Sequence, residues 1–415
     1  MTASPARVDA LIVGLGPAGS ATAAHLARQG YHVLAVDRAS FPRHKPCSEY
    51  LSPEAVRLLD RLGVAAALAR EGAALEGTRV FGPGGSVLTG RFAAAPVHPF
   101  CDRGLSVARW TLDQRLVEAA REAGADIAER TVVEDLVLEQ GGVVGAALRL
   151  PGGTSKEVRA RLVIGADGLR SVVARRLGFR RTGRPARLAF VTHVAGVSGL
   201  DGYAEMHVGR DGYAGLNRIG GGPWNGARSE PIANVALVVP RRRASSEARG
   251  QVEEFFFSEL ERFPGLRGRI PRRGLLRPVQ VTGPFAARSR RVVANGALLV
   301  GDAAEFFDPF TGDGILSALR GAELAAAAAL LALGQPGPVT RARLAPYERA
   351  RRAAFRGKWL IERMVGFGLL APGLFDRAVG RLEHHGLAHT FIGVTGAFVP
   401  ARRVLDPRFL ARMVF

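Results

Sequence analysis

The residues whose spacing could do chemistry sit first in Gly14-Leu15-Gly16-Pro17-Ala18-Gly19, with Asp37 following 18 residues after Gly19. The first glycine makes a tight turn, the second lets a pyrophosphate approach the backbone, and the third lets a helix pack on a sheet. A helix starting at Pro17 would point unpaired N–H groups and the positive end of its dipole at the phosphates. Asp37 can accept hydrogen bonds from ribose hydroxyls. This is a dinucleotide site that leaves NAD and FAD open. Two further glycine turns follow strand-like runs: Gly165-Ala166-Asp167-Gly168 and Gly301-Asp302-Ala303-Ala304, the latter continuing into Asp308-Pro309-Phe310-Thr311-Gly312-Asp313-Gly314-Ile315. Outside these turns, His193 could serve as an acid or base because imidazole titrates near neutrality, or could be a satisfied structural histidine.

The elements that must position these residues follow from apolar periodicity. Ala10 to Val13, an Ala-rich helix to about Gln29, and Val33 to Val36 form a βαβ unit. Helical patterns run over Pro53 to Leu62 and Thr111 to Ala123, and strand patterns over Val132 to Glu139, Val143 to Leu150 and Arg161 to Ile164. From 185 to 275 the chain alternates in short runs with Gly-rich turns, which predicts an antiparallel sheet. Buried α/β character returns at Ala297 to Val300 and in a helix from Ile315 to Leu333. The fold class is therefore α/β: a Rossmann-type domain with an inserted antiparallel β-sheet domain and a helical C-terminal section. The expected division is 1–184 for the first part of the nucleotide-binding domain (with part of the substrate domain near 75–105), 185–275 for the inserted substrate sheet, 276–344 for the second part, and 345–415 for the helical section.

The three turns, in this order and at these separations, resemble the FAD-dependent superfamily that contains p-hydroxybenzoate hydroxylase, flavin halogenases and geranylgeranyl reductases, over roughly residues 8–330. The resemblance implies bound FAD, with NAD(P)H as a transient electron donor. It implies that Asp302 binds the ribityl chain and that N–H groups near Gly312 and Gly314 face the flavin N1/C2 edge, where a helix N-terminus stabilises the negative charge of reduced flavin. Arg109 matches an arginine that packs along the cofactor, and Val133 an adenine contact. Arg38, Asp167, Gly168, Pro309 and Ile315 complete the implied cofactor set. Pro42 to Pro53, with Lys45-Pro46-Cys47-Ser48-Glu49, resembles a Lys-x-Cys-Gly-Glu loop beside the flavin in the geranylgeranyl-reductase branch, although Ser48 replaces glycine. Cys47 would stand at the flavin edge.

Tyr213-Ala214-Gly215-Leu216-Asn217-Arg218 corresponds to a Tyr-x-Trp-x-Phe-Pro stretch over the reductases' substrate pocket. Glycine and asparagine replace two bulky apolar groups, so a wider, more polar pocket is expected. Halogenation is not expected, because the halogenases' tryptophan pair is missing. The reading taken is an FAD-dependent monooxygenase hydroxylating or epoxidising a hydrophobic secondary metabolite, such as an alkylated phenol or polyketide, through a flavin C4a-hydroperoxide. The alternative is an ene-reductase saturating isoprenoid double bonds; a flavoprotein serving in electron transfer is a third. Cys47, His193 and Tyr213 are the catalytic candidates.

Basic residues number 57 against 37 acidic, a net charge of +20, but only three are lysines and no nucleic-acid-binding pattern accompanies them. No nucleic-acid partner is expected. A hydrophobic small molecule is, and the clusters at Arg241 to Arg243 and Arg267 to Arg273 suit an anionic molecule or an acidic carrier protein. Cys47 and Cys101 are not expected to pair. His384, His385 and His389 lack the carboxylate or cysteine spacing of a metal site, and none is expected. Two cysteines and a start without a secretory pattern lead to the expectation of a cytoplasmic protein, and the most apolar run, Leu324 to Leu333, is far short of a bilayer span. The apolar stretches Trp359 to Phe375 and Phe391 to Phe398 are expected to pack over the α/β core, cap a lipophilic tunnel or rest on a membrane surface.

Overall fold

The structure is a computed structural model that describes residues 6–224 and 230–414. Strand Ala6–Val13 lies between Ser155–Gly165 and Val33–Val36, and Ala297–Leu299 and Asp126–Ala128 extend the parallel order on either side. Ala10, Leu11 and Ile12 are inaccessible on both faces, as a parallel strand covered by helices requires. An antiparallel pair, Val132–Glu139 and Gly142–Arg149, joins the first half of Ser155–Gly165. Helix Pro17–Ala27 is built from small residues and is buried almost all round, against helices Arg109–Glu122 and Gly314–Leu333.

Register brings the three turns together. Val13 pairs with Gly165, and Gly165 with Leu299, so the chain leaves all three strands at one edge of the sheet. In open α/β sheets that carboxyl edge is where ligands bind.

The second sheet has seven strands, ordered Gln280–Thr282, Arg187–Ala195, Ile232–Pro240, Tyr213–Arg218, Tyr203–Val208, Gly77–Phe81 and Val87–Arg91. Tyr203–Val208 and Gly77–Phe81 run parallel, and the other neighbours antiparallel. Both faces of this sheet are apolar. One packs on helix Val252–Leu260 through Phe255, Phe256 and Phe257. The sequence pattern did not reveal that helix, because three consecutive phenylalanines hide a helical period. The other face meets helices Arg341–Gly368, Pro372–His384 and Ala388–Thr395 through Ile361, Val365, Val379 and Ile392.

Helix Gly314–Leu333 departs from expectation: it is long and apolar enough to cross a membrane, whereas the sequence reading counted only its last ten residues. It is a core helix whose inner face, from Ile315 to Leu333, is buried between Pro17–Ala27 and Arg341–Gly368, with Ala327 and Leu331 exposed on the other side. Cys47 and Cys101 are both free thiols.

Candidate active site

Gly14 has φ +99°, and a Cβ there would lie 2.6 Å from the Ala166 carbonyl oxygen and 2.8 Å from Asp167 Cα. The first and second turns are thus in backbone contact, and only glycine fits. A Cβ on Gly301 would lie 2.9 Å from Ala18 Cβ, which brings in the third turn. Gly16 faces open space, its nearest neighbour being Arg109 Nη2 at 3.7 Å from a Cβ position. As N-cap of helix Pro17–Ala27, Gly16 offers no capping side chain, so the first N–H groups of that helix remain available to an anion. Asp37 accepts from the Leu15 N–H through Oδ2 and the Ala39 N–H through Oδ1, each at 2.8 Å, which fixes its carboxylate beside the first turn. Arg38 is exposed beside it.

Asp167 and Val133 are placed differently from the implied contacts. The Asp167 carboxylate accepts from the Val172 N–H at 2.6 Å and turns onto helix Val172–Arg176, with burial pushing its pKa up. Its backbone, not its side chain, meets Gly14. Val133 is buried in its strand and lies outside the cavity lining; two residues earlier, the Thr131 N–H bonds the Asp37 carbonyl.

Asp302 does face the cavity. Burial pushes its carboxyl up, while Lys45 and Arg109 pull it down. Gly312 has φ +68°, and Pro309, Gly314 and Ile315 line the same wall at the start of helix Gly314–Leu333. The N-cap residue Asp313 makes no capping bond; it accepts from Thr311 Oγ1 at 2.8 Å and pairs with Lys358 Nζ at 3.3 Å. The first N–H groups of that helix are therefore also available. Arg109 is buried with its guanidinium held by both Asp113 oxygens at 2.7 and 2.8 Å, and it lines the cavity beside Cys47.

Lys45, Cys47 and Ser48 line the cavity, and Lys45 Nζ is 3.4 Å from a Cβ position on Gly168. Their loop is held from below. Glu49, at φ +58°, accepts from the Arg109 backbone N–H at 2.8 Å through Oε1, and its Oε2 lies 2.6 Å from His193 Nε2. Asn234, the strand partner of His193, donates from Nδ2 to the Cys47 and Ser48 carbonyls at 2.9 Å. His193 is fully buried and outside the cavity lining, which corrects the expectation of an acid–base role: it braces the loop. Above it, His44 stacks on Trp224 with ring centroids 5.4 Å apart, and burial, reinforced by Arg277, lowers its pKa to about 4. Glu49 and Asn234 escaped the sequence reading. The only signal was the position of Glu49 in the Lys-x-Cys loop, and sequence does not tell which way a carboxylate points.

Beyond this cradle the cavity runs over the second sheet. Alternate residues on three strands give a floor of small apolar groups: Ala189 and Val191, Ala204 and Met206, Ala236 and Val238. Tyr213 presents its ring, while its hydroxyl donates to Asp308 at 2.5 Å and Asp308 pairs with Arg187 at 2.7 Å. Burial first, then the Asp308 charge, raises the Tyr213 pKa well above its ordinary value. Asn217 also borders the cavity, but its amide donates to Ser106 Oγ at 2.5 Å. The pocket is consequently less polar than the sequence suggested.

The cavity is continuous from the glycine turns to the apolar floor, with Lys45, Arg109 and Asp302 at one end and Ala189, Val191 and Val238 at the other. Two uncapped helix N-termini, an open Gly16, a cavity-facing lysine and a cavity-facing carboxylate suit a pyrophosphate and polyol, and leave an apolar annex for a second molecule. These residues fit FAD.

The arginine clusters are partly engaged within the chain. Arg243 pairs with Glu259, Arg269 with Glu205 and Arg272 with Glu254. His384 and His385 are exposed, and His389 Nδ1 accepts from the Arg91 N–H at 2.9 Å.

Residues 7–358 match the family described as FAD binding domain. A digeranylgeranylglycerophospholipid reductase from Methanothermobacter thermautotrophicus is 31% identical, over 83% of this chain and 82% of its own. The menaquinone reductase of Mycolicibacterium smegmatis is 33% identical over 77% of this chain and 76% of its own. Among solved structures, the myxobacterial chondrochloren halogenase superposes with a TM-score of 0.77 at 24% identity, covering 86% of this chain and 81% of that one. A geranylgeranyl bacteriochlorophyll reductase-like protein from Thermoplasma acidophilum gives 0.70 at 22%, covering 99% and 96%. The structural likenesses speak to the fold.

Proposed function

The chain belongs to the FAD binding domain family of FAD-dependent oxidoreductases, and from that premise we propose that it is a flavin-dependent reductase that saturates carbon–carbon double bonds of a long isoprenoid chain. The observation that carries this reading is the apolar floor from Ala189 to Val238, small enough to admit an extended branched hydrocarbon. The named reductases among the relatives support it.

The oxygenation reading is the weaker one. It follows from the missing aromatic stretch, which predicts a wider and more polar pocket; Gly215 keeps the width, while the Asn217 amide donates to Ser106.

Bound FAD would supply the hydride equivalent, replenished by a transient donor such as NAD(P)H. The protein's own part is positioning. Gly14, Gly16 and the start of helix Pro17–Ala27 would hold the pyrophosphate, Asp37 and Asp302 the sugar and polyol hydroxyls, and Gly312 and Gly314 the ring edge. Lys45 and Arg109 line the cavity with positive charge. The apolar floor excludes water and offers an extended hydrocarbon a surface to lie on. A saturating step also requires a proton, and the Cys47 thiol, which lines the cavity beside the Arg109 guanidinium, has one to give.

Anaerobic incubation of the FAD-loaded protein with dithionite and a detergent-dispersed geranylgeranyl lipid or menaquinone tests the proposal. Product mass should rise by two hydrogens per double bond reduced. Product that forms only when oxygen is admitted, and carries an added oxygen atom, would restore the oxygenase reading.

A further inference from the structure

Four of the largest exposed apolar side chains lie together at one corner. Leu360 is 51% exposed, Phe367 63%, Leu370 60% and Leu374 51%. Within helix Arg341–Gly368, positions 356, 360, 363 and 367 are spaced by four and three residues, so Arg356, Leu360, Arg363 and Phe367 share one outward face. Leu370 and Leu374 continue it around the turn into helix Pro372–His384.

The charge at this corner has one sign. Between Glu348 and Asp376 the sole acidic residue is Glu362, which is buried and held by Lys358, and the Asp376 carboxylate is turned onto the Gly84 N–H and the Ser86 hydroxyl. Arg352, Arg356 and Arg363 are exposed and form no ion pair among the described residues. A second copy of the chain would bring arginine against arginine. An anionic bilayer would receive the four apolar side chains below its headgroups and the arginines at its surface.

We propose that this corner docks the protein on an anionic membrane surface. Phe375, next to Leu374, packs on Phe310 with ring centroids 5.9 Å apart, and Phe310 lines the apolar cavity. One aromatic layer thus separates the docking corner from the space assigned to the hydrocarbon chain. That the docked face receives its substrate from the bilayer rests on the reductase reading; the docking itself does not.

Vesicle flotation tests it with the FAD-loaded full chain. Two vesicle types are compared: phosphatidylcholine alone, and phosphatidylcholine mixed with phosphatidylglycerol. The wild type should float with the anionic vesicles and be released by salt. The double variant Phe367→Ser/Leu370→Ser should bind roughly tenfold or more weakly, and Arg356→Gln/Arg363→Gln about fivefold more weakly per arginine. All four positions are exposed, and unchanged flavin absorbance certifies the fold. The proposal is overturned if the wild type stays with the soluble fraction, if the variants float equally well, or if the wild type forms a concentration-dependent dimer that Phe367→Ser abolishes. Flotation needs no turnover, so protein that floats but reduces no double bond would sink the reductase reading alone.

Discussion

His193 Nε2 lies 2.6 Å from Glu49 Oε2 with both side chains sealed from solvent, and the same carboxylate holds the Arg109 backbone N–H. Three segments far apart in sequence meet at this carboxylate. Removing the imidazole leaves a buried carboxylate short of a partner, which typically costs about 3–5 kcal/mol. His193→Ala should therefore lower the melting temperature and weaken FAD binding together, and His193→Gln, which keeps a donor, should recover part of both. Thermal denaturation and FAD titration read the outcome. A variant that melts normally and holds FAD but has lost turnover would return His193 to an acid–base role.

Lys45 makes the opposite kind of prediction. Its ammonium faces the cavity with no ion pair among the described residues, and burial, reinforced by Arg109 and Arg43, lowers its pKa. A charge enclosed without a partner destabilises the apoprotein, whereas the negative charge of bound FAD would offset it. Lys45→Met should raise the melting temperature of the apoprotein and weaken FAD binding roughly ten- to a hundredfold. An unchanged FAD affinity would mean that Lys45 has no part in holding the cofactor.

Glu362 predicts a pH dependence. Burial pushes its carboxyl from an ordinary 4.5 to about 7, despite the opposing pull of Lys358. The folded state then holds a proton that the unfolded chain has released, so the contribution to stability is fully present below pH 4.5 and is lost as pH rises through about 7. Glu362→Gln should flatten the stability curve in that window, by up to about 1.4 kcal/mol per pH unit. Denaturant titrations between those limits measure it, and an unchanged slope would contradict the assignment.

The cofactor cradle was legible in the sequence because its requirements are local. A tight turn needs Gly14, a strand end presents Asp37, and a helix start needs Gly314, so type and spacing alone carry the information. Sheet register then does what no spacing can, bringing Val13, Gly165 and Leu299 to one edge. The polar bracing was not legible. Whether Asp167 faces a ligand or caps helix Val172–Arg176, and whether His193 faces a cavity or Glu49, depends on rotamers set by tertiary packing. Asn217 misled for the same reason: its residue type suggested a polar pocket, and its partner Ser106, 111 residues away, withdrew that polarity.

Gly215 offers the sharpest test of what the annex accepts. It lies in strand Tyr213–Arg218 on the cavity wall, where a Cβ would come no closer than 3.4 Å to the flexible end of Met206. A side chain is therefore tolerated by the fold, and its bulk would enter the annex rather than the cofactor cradle. Gly215→Trp narrows the annex with a large ring. The FAD absorbance should be unchanged, short prenyl substrates should still turn over, and KM for long chains should rise roughly tenfold or more. Equal loss for short and long substrates would show that the chain does not pass Gly215, and that the hydrocarbon enters the cavity from another side.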